Sequence, residues 1–343
     1  MERLMPFARP LILTHLVVLI LNASSACGLA GTIINGDGLR GGLRWDAKPY
    51  SIGGFERSLD GGLRYSLQGG SYEALRNRFT WDGDAPSVSA FADAVKQAFR
   101  AWESVDPVTG LGTDIRFVED LATPADGDGS FGSVSFFGAE IDIFGYDGGA
   151  DGMDGFAAWN FSNKPANLTS GVDNYPGSTT FIGVDISMNS NSAKVWKLDI
   201  FRRVLTHEIG HAIGLGDLES DINPDFIDDN FDGSDADSVR ATLTNSWAKL
   251  VNPFDPASSP LSVYTVPQGD PGLQTVGIEL LMESRADDDP LGNPASNLVP
   301  LMNDDYGMRQ FLYPVHVPEP ASLLLVGIAS CHIMTCSRRT KSG

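Results

Sequence analysis

Residues 206–217 read Thr-His-Glu-Ile-Gly-His-Ala-Ile-Gly-Leu-Gly-Asp, and this stretch decides how the rest of the chain is interpreted. Residues four apart lie on one face of a helix, so His207 and His211 can both direct an imidazole nitrogen toward one point. That point would lie about 2.0–2.1 Å from each nitrogen, which is the length of a zinc–nitrogen bond. Glu208 lies on the same side, where its carboxylate can hold a water molecule.

A third candidate ligand follows directly after this helix. Gly214 is expected to end the helix, because glycine accepts the left-handed backbone conformation of a chain reversal. The reversal would bring Asp217 back toward the two histidines. Glu219 and Asp221 are the nearest alternative carboxylates.

An ordinary amphipathic helix is the alternative interpretation of this stretch. It would explain the apolar stripe but leave the histidines incidental. The stripe lies on a different face from the histidines. One face can therefore pack on the core while the other binds a metal. Its members are Phe201, Leu205, Ile209 and Ala212.

The motif H-E-x-x-H-x-x-G-x-x-D resembles that of the metzincin metalloproteases, in which the third ligand is usually histidine. Aspartate at this place is similar to the snapalysin-type variant. The resemblance implies a catalytic zinc bound by His207, His211 and Asp217, with Glu208 as the general base. It also implies a Met-turn, a methionine that forms an apolar floor beneath the metal. Met282 is the expected residue, and Met302 is the alternative.

The wider chain resembles a matrixin catalytic domain over roughly residues 60–314. The implied fold is α+β, with a zincin-like, twisted, five-stranded, mostly parallel sheet, an active-site helix and the Met-turn. Residues 87–105 carry apolar side chains at helical spacing and predict a helix that packs on this sheet. In the family an edge strand binds the extended substrate, and its expected residues here are Val184, Asp185 and Ile186.

Two Asp/Gly-rich segments are candidate calcium sites, because carboxylates and carbonyls are the ligands that calcium prefers. The first is similar to the matrixin calcium loop and offers Asp147, Asp151 and Asp154. The second offers Asp228, Asn230 and Asp232, although Val239 stands where an EF-hand would have glutamate. Plain acidic loops are the alternative for both segments.

Composition narrows the class of protein. The net charge of −20 argues against nucleic-acid binding, which needs a basic surface. All three cysteines (Cys27, Cys331 and Cys336) lie in terminal segments, so the body has no thiol nucleophile or disulfide framework.

The two ends of the chain look like targeting segments. Residues 1–30 predict a secretory signal peptide, with an apolar core of limited length. Residues 317–343, which contain Val-Pro-Glu-Pro, an apolar run and Arg338-Arg339, resemble a PEP-CTERM sorting signal. A plain membrane anchor is the alternative. Residues 31–316 would then form the catalytic domain, with an insertion at about 218–275.

The sequence therefore predicts an exported zinc endopeptidase at a bacterial cell surface or in the extracellular space, anchored transiently through its tail. We expect a monomer that acts on protein or peptide substrates and is handled by a membrane sorting enzyme. The alternative is a calcium-stabilised structural component of a surface or biofilm matrix, with little or no peptidase activity. The presence of Glu208 disfavours it, because a purely structural metal site has no use for a general base.

Overall fold

The computed structural model describes the central part of the chain, with gaps. The described residues are 32–34, 42–105, 112–130, 134–167, 179–217, 226–228, 264–265, 281–282, 301 and 303–313. They form an α+β structure with a mostly parallel sheet. The expected signal peptide and sorting segment both lie outside the described residues. Within the described part, no helix is both long and apolar enough to cross a membrane.

The described elements alternate between strands and a few helices. The strands are β1 (Thr32–Ile34), β2 (Leu43–Arg44), β3 (Ser51–Ile52), β4 (Phe55–Glu56), β5 (Leu63–Leu67), β6 (Thr80–Trp81), β7 (Phe117–Glu119), β8 (Ile141–Tyr146), β9 (Gly155–Ser162), β10 (Thr179–Asn189), β11 (Val195–Trp196), β12 (Phe226–Asp228) and β13 (Tyr264–Thr265). The helices are α1 (Tyr72–Arg76), α2 (Val88–Glu103), α3 (Leu198–Ala212) and α4 (Asn303–Leu312).

The main sheet has the strand order β2-β10-β8-β5-β7, and β9 pairs with β10. Every pairing in it is parallel except that of β9 with β10, which is antiparallel. The sheet therefore has six strands where five were expected. The shortest of the six is the two-residue β2, which pairs with the start of β10 at Thr179 and Thr180.

Helices α2 and α3 pack against each other and cover one face of this sheet. The apolar residues of the predicted helix at 87–105 are buried, which confirms the helical period in that segment. The Ser87 hydroxyl caps α2 by accepting a hydrogen bond from the N–H of Ala90 at 3.1 Å. At the far end, Trp102 Nε1 donates to the carbonyl oxygen of Thr206 at 2.8 Å and fixes α2 to the middle of α3.

Strand β10 lies in the interior of the sheet, so the expectation that Val184, Asp185 and Ile186 form an edge strand is wrong. These residues pair with β8 on one side and with β9 on the other, and all three are buried. Among the described strands β9 pairs only with β10, which leaves β9 at the edge. Two covered faces explain why β10 reads as a nearly continuous apolar run.

The beginning of the described chain is paired with the segment that follows α3. The N–H of Ile34 donates to the carbonyl oxygen of Gly214 at 2.9 Å, and Ile33 opposes Leu215. Strand β1 also pairs with β12, and β12 with β13, in a small antiparallel sheet. These two short strands are the described part of the expected insertion at 218–275.

Candidate metal centre

Helix α3 and the turn after it bring three side chains together. The Nε2 atom of His207 lies 3.1 Å from Asp217 Oδ1, and the Nε2 atom of His211 lies 3.2 Å from the same oxygen. The two imidazole rings are perpendicular, with centroids 4.6 Å apart. The structure thus places Asp217 beside the two histidines, as the sequence predicted. Glu219 and Asp221, the alternative carboxylates, lie outside the described residues.

The turn that positions Asp217 is a Schellman motif, the common way to end a helix with glycine. The N–H of Gly214 donates to His211 O at 2.9 Å, and the N–H of Leu215 donates to Gly210 O at 3.0 Å. Gly214 has a φ of +103°, and a Cβ atom there would overlap the carbonyl oxygen of Leu43. Only glycine fits this position without strain.

Two backbone carbonyls determine which nitrogen of each histidine carries the proton. His207 Nδ1 lies 2.6 Å from Leu281 O, and His211 Nδ1 lies 2.8 Å from Leu215 O. Since a carbonyl oxygen can only accept, both Nδ1 atoms must be donors. The neutral rings therefore present the Nε2 lone pairs to Asp217 Oδ1, which itself accepts no hydrogen bond. Metal-binding histidines are held in this way in many proteins.

The spacing of these atoms fits a tetrahedral zinc ion. Zinc bonds of about 2.0–2.1 Å at tetrahedral angles separate neighbouring ligand atoms by about 3.3 Å. The observed separations from Asp217 Oδ1 are 3.1 and 3.2 Å. Two lone pairs and a carboxylate oxygen at this distance repel each other unless a cation lies between them. His207, His211 and Asp217 therefore fit a metal by both distance and donor type.

Electrostatics in this pocket favour positive charge. Burial lowers the pKa of His211, but the carboxylate of Asp217 more than offsets it and raises that pKa to about 9. Burial raises the pKa of Asp217, and the two histidines outweigh it, so that this pKa falls well below its usual value. In the absence of a metal, a proton on His211 would offset the charge of the carboxylate.

Glu208 is the fourth ionisable group of the site. Its side chain is buried, its Oε2 atom has no hydrogen-bond partner, and burial raises its pKa. A Cβ added to Gly155 would lie 2.8 Å from Glu208 Oε1, so the carboxylate faces the first residue of β9. Together, His207, Glu208 and His211 offer ligand atoms within 4.8 Å of one another, a group that could bind a metal ion.

The short turn at residues 281–282 contacts both His207 and helix α3. Leu281 supplies the carbonyl that orients His207, and Met282 is 2 % exposed. A Cβ added to Gly210 would overlap the sulfur of Met282 and lie 2.8 Å from Trp102 Cζ2. Met282 thus forms an apolar contact with α3 between the two histidines. Met302, the alternative methionine, lies outside the described residues.

The carboxylates of the first candidate calcium loop are not gathered into a site. Asp147 Oδ1 accepts from Asn191 Nδ2 at 2.6 Å, and Asp154 forms an ion pair with Lys194. Asp151 is exposed. Asn189 Nδ2 donates to two carbonyl oxygens of the loop, those of Gly149 and Met153, both at 3.0 Å. Amide groups and one ammonium group therefore contact the oxygens of this loop.

The second candidate calcium segment is only partly covered by the structure. Asp228 is the last residue of β12. Asn230 and Asp232 lie outside the described residues, so this site stays a prediction.

Sequence reasoning missed the groups that act through the backbone. The carbonyls of Leu215 and Leu281 fix the histidine tautomers, and Gly155 gives Glu208 its room. No side-chain pattern signals a carbonyl acceptor. Gly210 was a usable signal, because glycine in a helix interior costs stability and marks a close approach by another group.

Comparison with protein families and with curated proteins finds no match to this chain. The centre is therefore assigned by its geometry alone, as a helix-borne pair of histidines with a carboxylate from the following turn.

Proposed function

We propose that this protein is a zinc-dependent endopeptidase of the matrixin-like metzincin type. The observation that carries the proposal is the approach of His207 Nε2 and His211 Nε2 to one oxygen of Asp217 at 3.1 and 3.2 Å. The carboxylate of Glu208, whose Oε2 atom has no hydrogen-bond partner, lies beside them. This combination of a metal-binding set and a free base is what hydrolysis of a peptide bond requires.

The metal would be held by His207, His211 and Asp217. Zinc supplies Lewis acidity, which polarises a carbonyl group and makes water nucleophilic near neutral pH. The contribution of the chain is to fix both imidazoles through the Leu281 and Leu215 carbonyls. Rings oriented in advance need no rearrangement when the reaction begins.

Glu208 would serve as general base and then as general acid. Its buried position raises its pKa, so its affinity for a proton is greater than that of a glutamate in water. It can take the proton of the attacking water and pass it to the leaving amine. The Oε2 atom has no competing hydrogen bond in the protein that would hold it away from this task.

The edge strand β9 is the surface where we propose that substrate binds. It begins at Gly155, beside Glu208, and runs antiparallel to β10. Unpaired N–H and C=O groups on a sheet edge can bind an extended peptide by adding a strand. This assignment replaces β10 as the substrate strand and keeps the peptide next to the base.

The topology supports the metzincin-like part of the proposal. A mostly parallel sheet ends in one antiparallel strand beside the histidine helix, and a buried methionine lies below that helix. Export to a bacterial surface, and recognition of the tail by a sorting enzyme, rest on the sequence of residues 1–30 and 317–343 alone.

The decisive experiment compares the purified full chain with Glu208→Gln. Zinc content is measured on both proteins, together with digestion of a peptide library. We expect equal zinc, with a loss of turnover of about 10²–10⁴-fold in the variant. Glu73→Gln, on the exposed side of α1, is the matched control and should behave as the unaltered chain.

Two outcomes would count against the proposal. Near-normal peptidase activity in Glu208→Gln would remove Glu208 from the mechanism. An unaltered chain that holds zinc but digests no peptide would favour the structural matrix component instead.

A further inference from the structure

The face of the sheet away from α2 and α3 is covered by a loop rather than by helices. We call residues 124–130 and 134–138 the covering loop. A Cβ added to Gly183 of β10 would overlap the carbonyl oxygen of Ser135. Four residues further along β10, Ser187 Oγ donates to Gly129 O at 2.7 Å. Because alternate residues of a strand face one side, Asp185 lies between these contacts and under the loop.

Asp185 is buried there, and no described residue neutralises it. It is 1 % exposed, and neither Oδ1 nor Oδ2 has a hydrogen-bond partner. Its neighbour in the register of β10 and β8 is another aspartate, Asp142. The carboxylates of Asp126 and Asp128 in the covering loop also lie close enough to repel it. Within the described part of the chain, the charges that shift the pKa of Asp185 are therefore all negative.

Asp142 differs from Asp185 in being fully engaged. Its Oδ1 accepts from Ser66 Oγ at 2.5 Å and from the N–H of Ala139 at 3.2 Å. Its Oδ2 accepts from the N–H of Asp126 at 3.0 Å. These bonds fasten both ends of the covering loop to the sheet. Both oxygens of Asp142 thus accept hydrogen bonds, whereas neither oxygen of Asp185 does.

An ionised carboxylate buried without a partner is costly, so the chain must supply either a proton or a cation. Burial, together with the negative charges of Asp142, Asp126 and Asp128, raises the pKa of Asp185 to about 8. A divalent ion bound at this carboxylate would take the place of that proton. The two exposed or half-exposed carboxylates at the lip, Asp126 and Asp128, give such an ion a route inward.

We propose that Asp185, together with Asp126 and Asp128, forms a structural calcium site between β10 and the covering loop. All of its candidate ligand atoms are oxygens, and glycines alternate with aspartates in Asp126-Gly127-Asp128-Gly129-Ser130. Calcium accepts six to eight oxygens in flexible arrangements, whereas magnesium demands a near-ideal octahedron. Such a loop can wrap the larger ion.

Binding of the ion would bring the carboxylates of the covering loop closer to Asp185. Among the described residues, only the group around His207 has three such ligand atoms within 4.8 Å of one another. The loop carboxylates must therefore move inward to bind the ion. Movement of the loop onto β10 would couple calcium to stability, because a ligand that binds only the folded chain stabilises it. This proposal does not depend on the proposed peptidase.

The test counts bound calcium in the full chain, after removal of all metal and reloading with zinc. Reloading keeps the histidine centre constant, since chelators remove zinc as well as calcium. Calcium binding is measured by equilibrium dialysis, and the melting temperature is followed during titration with calcium chloride or magnesium chloride. Asp185→Asn is compared with Asp151→Asn, an exposed aspartate of the other acidic loop. Asp126→Asn serves as a second variant in case Asp185→Asn does not fold.

We expect the unaltered chain and Asp151→Asn to bind one more calcium than Asp185→Asn or Asp126→Asn. The melting temperature should rise with calcium only in the first two, and magnesium should have little effect. Equal calcium binding by all variants would overturn the proposal. So would an unaltered chain that binds no calcium, or a loss confined to Asp151→Asn.

Discussion

The sulfur of Met282 lies against the α-carbon of Gly210, at the point of α3 midway between the two histidines. A side chain at Gly210 as small as a methyl group would overlap that sulfur. The neighbouring carbonyl of Leu281 accepts the hydrogen bond from His207. The turn at residues 281–282 therefore determines both how closely α3 can approach it and how the His207 ring is oriented.

Gly210→Ala should consequently weaken both folding and metal binding. Alanine is the better helix former, yet overpacking a buried contact typically costs about 1–3 kcal/mol, which exceeds the helical gain of about 1 kcal/mol. We expect a lower free energy of unfolding in urea and a weaker zinc affinity.

The double variant Gly210→Ala/Met282→Ala supplies the control. Removing the methionine side chain makes room for the new methyl group, so the two changes together should cost less than their sum. Strict additivity would mean that the contact between these residues does not limit the packing.

The histidine centre was predictable because its information is local. The spacing of His207, His211, Gly214 and Asp217 is a property of one helix and one turn, and the physics of helices fixes where such residues point. The position of β10 was not predictable in this way, because strand order depends on pairings between distant segments. Its unbroken apolar run did signal an interior strand, and the family resemblance outweighed that signal.

The two acidic segments also could not be distinguished from local sequence alone. Both 147–155 and 126–130 are rich in aspartate and glycine, so composition cannot tell the two segments apart. The difference lies in distant partners. Asn191 and Lys194 engage the first segment, whereas a bare carboxylate, Asp185, lies under the second.

Asp217 should be indispensable for metal binding. Asp217→Ala removes the oxygen that both Nε2 atoms face, and a zinc site with two protein ligands holds the ion weakly. Zinc content and peptidase activity should fall together, while Asp217→His should retain zinc. Glu219→Ala and Asp221→Ala should change neither quantity. Full zinc in Asp217→Ala would show that the third ligand is elsewhere.

Gly214→Ala should be far more damaging than the same change at another left-handed glycine. Gly83 has a φ of +81° and nothing within 4 Å of an added Cβ, so Gly83→Ala carries only the backbone penalty of about 1–2 kcal/mol. At Gly214 the added atom also overlaps Leu43 O. We expect a larger loss of unfolding free energy, together with loss of zinc, because Leu215 and Asp217 must shift. Equal losses in the two variants would contradict this.

The stability of calcium-free, zinc-loaded protein should fall as pH rises from about 6 to about 8. Asp185 has a folded-state pKa of about 8 against an ordinary value of 3.8, so between these values the folded chain binds more protons than the unfolded chain. Stability then decreases with pH, by at most about 1.4 kcal/mol per pH unit for one proton. The penalty is complete above pH 8 and absent below about pH 4. Asp142, with a pKa of about 6, contributes in the same direction between about pH 4 and pH 6.

Asp185→Asn should flatten this dependence, because the amide has no proton to lose, and saturating calcium should flatten it in the unaltered chain by replacing the proton. Urea unfolding at several pH values measures both effects, with Asp151→Asn as the control for removal of an exposed charge. The curves for the unaltered chain and Asp185→Asn should therefore diverge as pH rises, with the variant the more stable at pH 8. If they run parallel over the whole range, Asp185 is ionised throughout and the electrostatic account of the covering loop is wrong.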